Sequence, residues 1–117
     1  MGANLSADDT FLWAKTADMV VGAAGHFVAK ARQEFPVVRA YLFGDWARGL
    51  RRPRSPVSVA IFLKSFGGRT EREMQKEFFR LKAPYHWVGL ELHLLEAEQL
   101  ASDSVFIVDM LETGLAL

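Results

Sequence analysis

The apolar positions of the chain fall into runs of two different periods. Leu12, Thr16, Val20, Ala24, Phe27, Ala31 and Phe35 recur at helical spacing. Ser6, with Asp9 three positions on, is a start signal for that helix, and Pro36 ends it. Gly22 and Gly25 weaken its middle, each by up to about 1 kcal/mol relative to Ala. Close packing against a neighbouring element is the expected reason for them. Val37–Phe43 is then a β-rich apolar run stopped by Gly44, and Ala47–Leu50 has room only for a short turn of helix. After a loop from Arg51 to Pro56, Val57, Val59 and Ile61 alternate with Ser58, Ala60 and Phe62. That is a strand with one strongly apolar face and one mixed face. Phe66-Gly67-Gly68 is a turn, and Thr70 with Glu73 forms a second capping box. Met74, Phe78 and Leu81 mark the buried side of the following helix, which ends before Pro84. Trp87–Leu95 reads as a third strand, with Glu91 and His93 on one face because side chains alternate. A last helix is expected from a cap at Asp103 through Glu112, with Gly114 as its C-terminal cap.

The order α-β-α(short)-β-α-β-α predicts an α+β fold, a small mixed sheet of three or more strands flanked by helices. The 117 residues read as a single domain, 1–117, without repeats or linkers. Fourteen basic and fourteen acidic side chains cancel, so any electrostatic role has to be local. The chain has no cysteine, which removes disulfides, thiol nucleophiles and thiolate metal sites. The N-terminus is polar and acidic rather than a signal peptide, and no apolar run approaches the roughly 20 residues of a membrane span. A cytoplasmic protein is the expectation.

The chemistry concentrates between residues 42 and 63. Gly44 separates a strand from a short helix whose first N–H groups are open to an anion. The spacing adds to this: Gly44-Asp45, ten residues, then Pro56-Val57-Ser58 on the next strand. Together with YLFG, A-R-G, S-x-V-x-V-A-I and the tail FIVDMLETGLAL, this stretch resembles the minimal nucleotidyltransferases of the DNA polymerase beta-like superfamily, from about residue 10 to the end. The resemblance implies the nucleotidyltransferase fold. It also implies a frame of Gly-Ser, ten residues, then Asp-x-Asp, whose aspartates hold divalent metal. Two such metals, about 3.5–4 Å apart, stabilise the attacking and leaving oxygens. Here Pro56 and Ser58 stand where the resemblance implies those aspartates, and Asp45 stands where it implies the phosphate-contacting serine. Pro56 has no ligand atom, Ser58 offers only a neutral hydroxyl, and Asp45 would repel a phosphate. Either Glu91 or His93 takes the third carboxylate position.

Three readings follow. The first is a catalytically inactive nucleotidyltransferase-like binding or regulatory module, antitoxin-like, with a helical HEPN-type protein as the partner that the resemblance implies. The second is a working nucleotidyltransferase, for example one adenylylating a protein, with an altered site of Glu91, His93 and Ser58; Mg2+ and ATP belong to the chain only on this reading. The third is a non-catalytic nucleotide or nucleic-acid sensor. On that reading Gly44, Asp45, Arg48, Arg51, Arg52 and Arg54 form an anion-binding lip, arginine being suited to bidentate phosphate contact. No resident metal and no membrane partner are expected, while a homo-oligomer is compatible with all three readings. Trp46 is the one aromatic near the arginines. Trp13, Trp87 and the phenylalanines are expected in the core or an interface, and His26 in a structural role.

Overall fold

A computed structural model of the chain describes residues 16–49 and 55–117. Helix α1 spans Ala17–Glu34, capped by Thr16, whose Oγ1 accepts from the Met19 N–H. Thr16 is therefore the start of this helix rather than a position on its buried face, while Ser6, Asp9 and Leu12 lie outside the described residues. Val20, Ala24, Phe27, Val28 and Ala31 form the buried stripe of α1. A Cβ added to Gly22 or Gly25 would meet nothing within 4 Å. The expected close packing at these glycines is absent among the described residues.

Strand β1 (Val37–Phe43) leads through Gly44 into a four-residue helix, α2 (Asp45–Arg48), and β2 spans Val57–Leu63. Helix α3 (Glu71–Lys82) carries the expected capping box: Thr70 accepts from the Glu73 N–H, and Glu73 accepts from the Thr70 N–H. Residues Ala83–Val88 form a 3-10 helix, and β3 begins only at Leu90 and runs to Glu96. Trp87 accordingly precedes the strand predicted to contain it. Pro84 starts the tight turn, and Gly89 leaves it with φ +77°. A further 3-10 helix (Ala97–Ala101) leads to α4 (Val105–Thr113) and a two-residue strand, β4 (Leu115–Ala116). Ser104, not Asp103, caps α4, its Oγ accepting from the Ile107 N–H. Gly114 ends α4 with an ordinary φ of −77°. It is required there by space, because a Cβ would come within 2.5 Å of the Met110 carbonyl and 3.1 Å of the Leu42 carbonyl.

The sheet is mixed, in the order β3-β2-β1-β4, with β2 parallel to β3 and β1 antiparallel to β2 and β4. The protein is thus α+β, with a four-stranded mixed sheet flanked by helices. One sheet face (Ala40, Leu42, Val57, Val59, Ile61, Leu63, Leu92, Leu94) packs on α1 and α3. The other face is smaller: Tyr41, Ala60 and Phe62 meet Ile107 and Met110 of α4. β2 lies between β1 and β3 and between the two helix layers, so all seven of its residues are buried. On its predicted mixed face, Ala60 and Phe62 are covered by α4. Among the described residues no helix is long and apolar enough to cross a membrane.

Candidate functional site: a serine, a glutamate and a histidine at the open end of the α4 face

The parallel register of β2 and β3 sets Ser58 opposite Glu91 and Ala60 opposite His93. With a side-chain period of two, Ser58, Glu91 and His93 share the face that α4 covers only in part. The Ser58 hydroxyl donates to Glu91 Oε1 at 3.4 Å, and His93 Nε2 lies 3.1 Å from that same oxygen. The carboxylate therefore sits between the hydroxyl and the imidazole. This is not the order of a nucleophile activated by histidine, in which the imidazole touches the hydroxyl. Ser58 is 7 % exposed, whereas the side chains of Glu91 and His93 are 55 % and 38 % exposed. Solvent screens the Glu91–His93 pair, which keeps its contribution to stability small.

Phe43 and Phe106 close the aromatic side of the site. The His93 ring lies 5.1 Å from Phe43 and 6.0 Å from Phe106, and the two phenylalanines are 5.5 Å apart. Sequence reasoning does not place Phe106 here. Its only signal is a position at the start of the last helix, and no local pattern says that this start reaches the third strand.

Gly44 adopts φ +79° and ψ −152°, a backbone conformation that favours glycine. A Cβ there would reach only ordinary contact with Ser58, at 3.6 Å, so the backbone conformation rather than space makes the requirement. Three of the neighbouring side chains make contacts within the chain. Asp45 Oδ2 accepts from the Ser55 hydroxyl at 2.9 Å, and Trp46 is buried with Nε1 donating to the Ser55 carbonyl at 3.1 Å. Both contacts hold Ser55, just before β2, against α2. Trp46 is core, with no ring face offered to a base. Arg48 forms an ion pair with Asp109 of α4, tying the short helix to the last one. Arg51, Arg52 and Arg54 lie outside the described residues. Of the predicted lip, the structure thus places Gly44 and Asp45 at the end of β1 and turns Arg48 toward α4.

The donor set of Glu91, His93 and Ser58 offers one carboxylate, one imidazole and one hydroxyl. Magnesium prefers hard oxygen ligands in an octahedron, usually from carboxylates, waters and phosphates. These residues fit that ion poorly, and among the described residues no group of three or more His, Asp or Glu is placed to hold a metal. The cluster can accept and relay hydrogen bonds on a half-open polar and aromatic surface. The chain matches no protein-family model, no curated protein and no solved structure.

Proposed function

We propose that the protein is a nucleotidyltransferase-like module that acts by binding a helical protein partner rather than by transferring nucleotides. The observation that carries this reading is the outer side of α4. Ile107 and Met110 are the residues of this helix buried against the sheet. On the solvent side Val105 is 85 % exposed, Val108 and Leu111 are each 40 % exposed, and Leu115 just beyond is 44 % exposed. Asp109 and Glu112 interrupt this outer side, but among the described residues its exposed Val and Leu side chains have no apolar cover.

Chemistry limits what can cover the other side. The charged residues of α4 are Asp109 and Glu112, both acidic, and Asp109 is taken by Arg48. A second copy packed on the same surface would bring acid toward acid with no cation from α4 to offset it. A partner helix with an apolar stripe and a basic rim fits better, packing ridges into grooves. The HEPN-type protein implied by the resemblance is a helical candidate of this kind. The loss of transferase chemistry is supported by the residues themselves: Pro56 and Ser58 occupy the aspartate positions of the implied frame, and Asp45 accepts a hydrogen bond from Ser55. The rival reading, an altered transferase, draws on the shared contact of Ser58 and His93 with Glu91.

The test is co-expression with the product of the gene beside its own, followed by size-exclusion chromatography. A co-eluting complex that is lost with Val105→Glu plus Val108→Glu, at unchanged circular dichroism, supports the reading. No complex, or one indifferent to these changes, rejects it; a dimer of the chain alone, broken by the same pair, would assign the surface to self-association.

A further inference from the structure

The basic residues in and just before helix α3 fall into two groups, paired and unpaired, while Glu71 of its first turn accepts from Gln75 at 3.4 Å. On one flank Arg69 pairs with Glu77, and Arg80 Nη2 lies 2.5 Å from Glu34 Oε1 of α1. On the opposite flank Arg72, Lys76 and Lys82 make no ion pair among the described residues. Phe79 stands on that same stripe and is 70 % exposed, although Phe78 beside it is fully buried. Two cavities of about 480 Å3 and 450 Å3 meet along this flank and share Phe79 and Lys82 as walls. The first continues over His86 to Leu90 at the start of β3, and the second runs past Lys76 to Arg72. Among the described residues no carboxylate lines either one. In a chain with no net charge, this is a local concentration of cations around an exposed aromatic ring.

We propose that this groove binds single-stranded nucleic acid, with Arg72, Lys76 and Lys82 on successive phosphates and a base stacked on Phe79. A positive groove with an aromatic platform is the arrangement that takes single strands without reading their sequence. The three cations span roughly ten residues of helix, about 15 Å, which suits a short stretch of backbone. An acidic peptide would instead use the open edge of β3, which ends the sheet. That edge is partly occupied: Gln75 Nε2 donates to the Leu92 carbonyl at 2.8 Å. The groove lies on the α3 side of the sheet, away from Ser58, Glu91 and α4, so the inference is independent of the partner surface.

Fluorescence anisotropy of labelled dT12 and rU12 on the full chain tests it. Three phosphate contacts on a single strand predict a slope of about −2 for log Kobs against log salt, and Lys76→Gln reduces it by about 0.7. Phe79→Ala weakens binding about five- to a hundredfold and leaves the slope unchanged. Arg80→Gln, on the paired flank, changes neither. Phe79 and Lys76 are exposed, so both variants keep the fold, which a melting curve verifies. No binding at about 50 mM salt, binding that ignores both groove substitutions, or equal displacement by poly-glutamate would overturn the proposal, the last by assigning the groove to acidic peptides.

Discussion

Replacing Ser58 by Asp puts a second carboxylate beside Glu91. The Ser58 hydroxyl already sits 3.4 Å from Glu91 Oε1. Two carboxylates facing each other there, at about 4 Å, repel by about 1 kcal/mol in water and about 4 kcal/mol at the effective dielectric of a protein surface. The exposed Glu91 side chain lets solvent screen the pair, but position 58 is buried and gives little room to turn away. A cost of about 2 kcal/mol at pH 7 follows, or roughly 8 °C in Tm for a domain of this size. A divalent cation should reverse it, since the two carboxylates now offer hard oxygen donors beside the His93 nitrogen. At ten times its Kd, Mn2+ would return about 1.4 kcal/mol. Pro56→Asp, at the exposed position before β2, should strengthen the effect. The assay is thermal unfolding of wild type, Ser58→Asp, and Ser58→Asp with Glu91→Gln, each with and without millimolar Mn2+. The double variant should recover stability without metal and lose the metal response. If Ser58→Asp costs nothing and Mn2+ shifts none of the three, the opposition of Ser58 and Glu91 across β2 and β3 is wrong, and with it the placement of the altered site.

Gly22→Ala and Gly25→Ala should each stabilise the protein by about 0.5–1 kcal/mol in urea unfolding, because α1 gains a better helix former. Space allows it, since a Cβ at either position meets nothing within 4 Å among the described residues. A loss of stability would mean that a neighbour covers α1 in solution. Phe78 is fully buried and stacks on Phe35 at 4.2 Å, whereas Phe79 is largely exposed. Phe78→Ala should therefore cost about 3–5 kcal/mol. Phe79→Ala should change unfolding by less than about 0.5 kcal/mol, as surface substitutions do. Equal effects would reject the assigned rotation of α3. The hydrogen bond from the Thr70 backbone holds the Glu73 carboxyl below the usual carboxylate range. Its stabilisation is thus present above the unfolded pKa of about 4.3 and is lost as pH falls through the folded value. Glu73→Gln should flatten the acid limb of a stability–pH curve, and an unchanged limb would contradict the capping box.

The strand and helix periods expose most of this architecture in the sequence, because each element has one strongly apolar side. Thr70 and Glu73 mark the start of α3 correctly, since a capping box is local chemistry. The misses fall where tertiary contacts decide. Trp87 looks like a strand residue by composition, but Pro84 and Gly89 hold the preceding residues in 3-10 turns. Asp103 and Ser104 are equally good caps on paper, and only the packed position of Ile107 selects Ser104. β4 is two residues long and exists because Gly114 lets the chain pass close over Leu42; nothing in Leu115-Ala116 announces a strand. At the site, alternation alone puts Glu91 and His93 on one face. That Ser58 opposes Glu91 depends on parallel register, which a single sequence does not contain. That Arg48 is engaged by Asp109 is not legible locally, because the two lie 61 residues apart in the chain. Phe79 is legible in part: the periodicity that chooses Phe78 for the core already leaves its neighbour outside.

The claim that this module binds rather than catalyses is tested most directly by label transfer. The purified chain, alone and with any protein that co-purifies with it, is incubated with α-labelled ATP and each of Mg2+ and Mn2+, and label is followed on protein and on added nucleic acid. The expected result is no transfer above a protein-free blank, with Glu91→Ala indistinguishable from wild type. Transfer by the wild type that disappears in Glu91→Ala would contradict it and make the Ser58–Glu91–His93 cluster an active site.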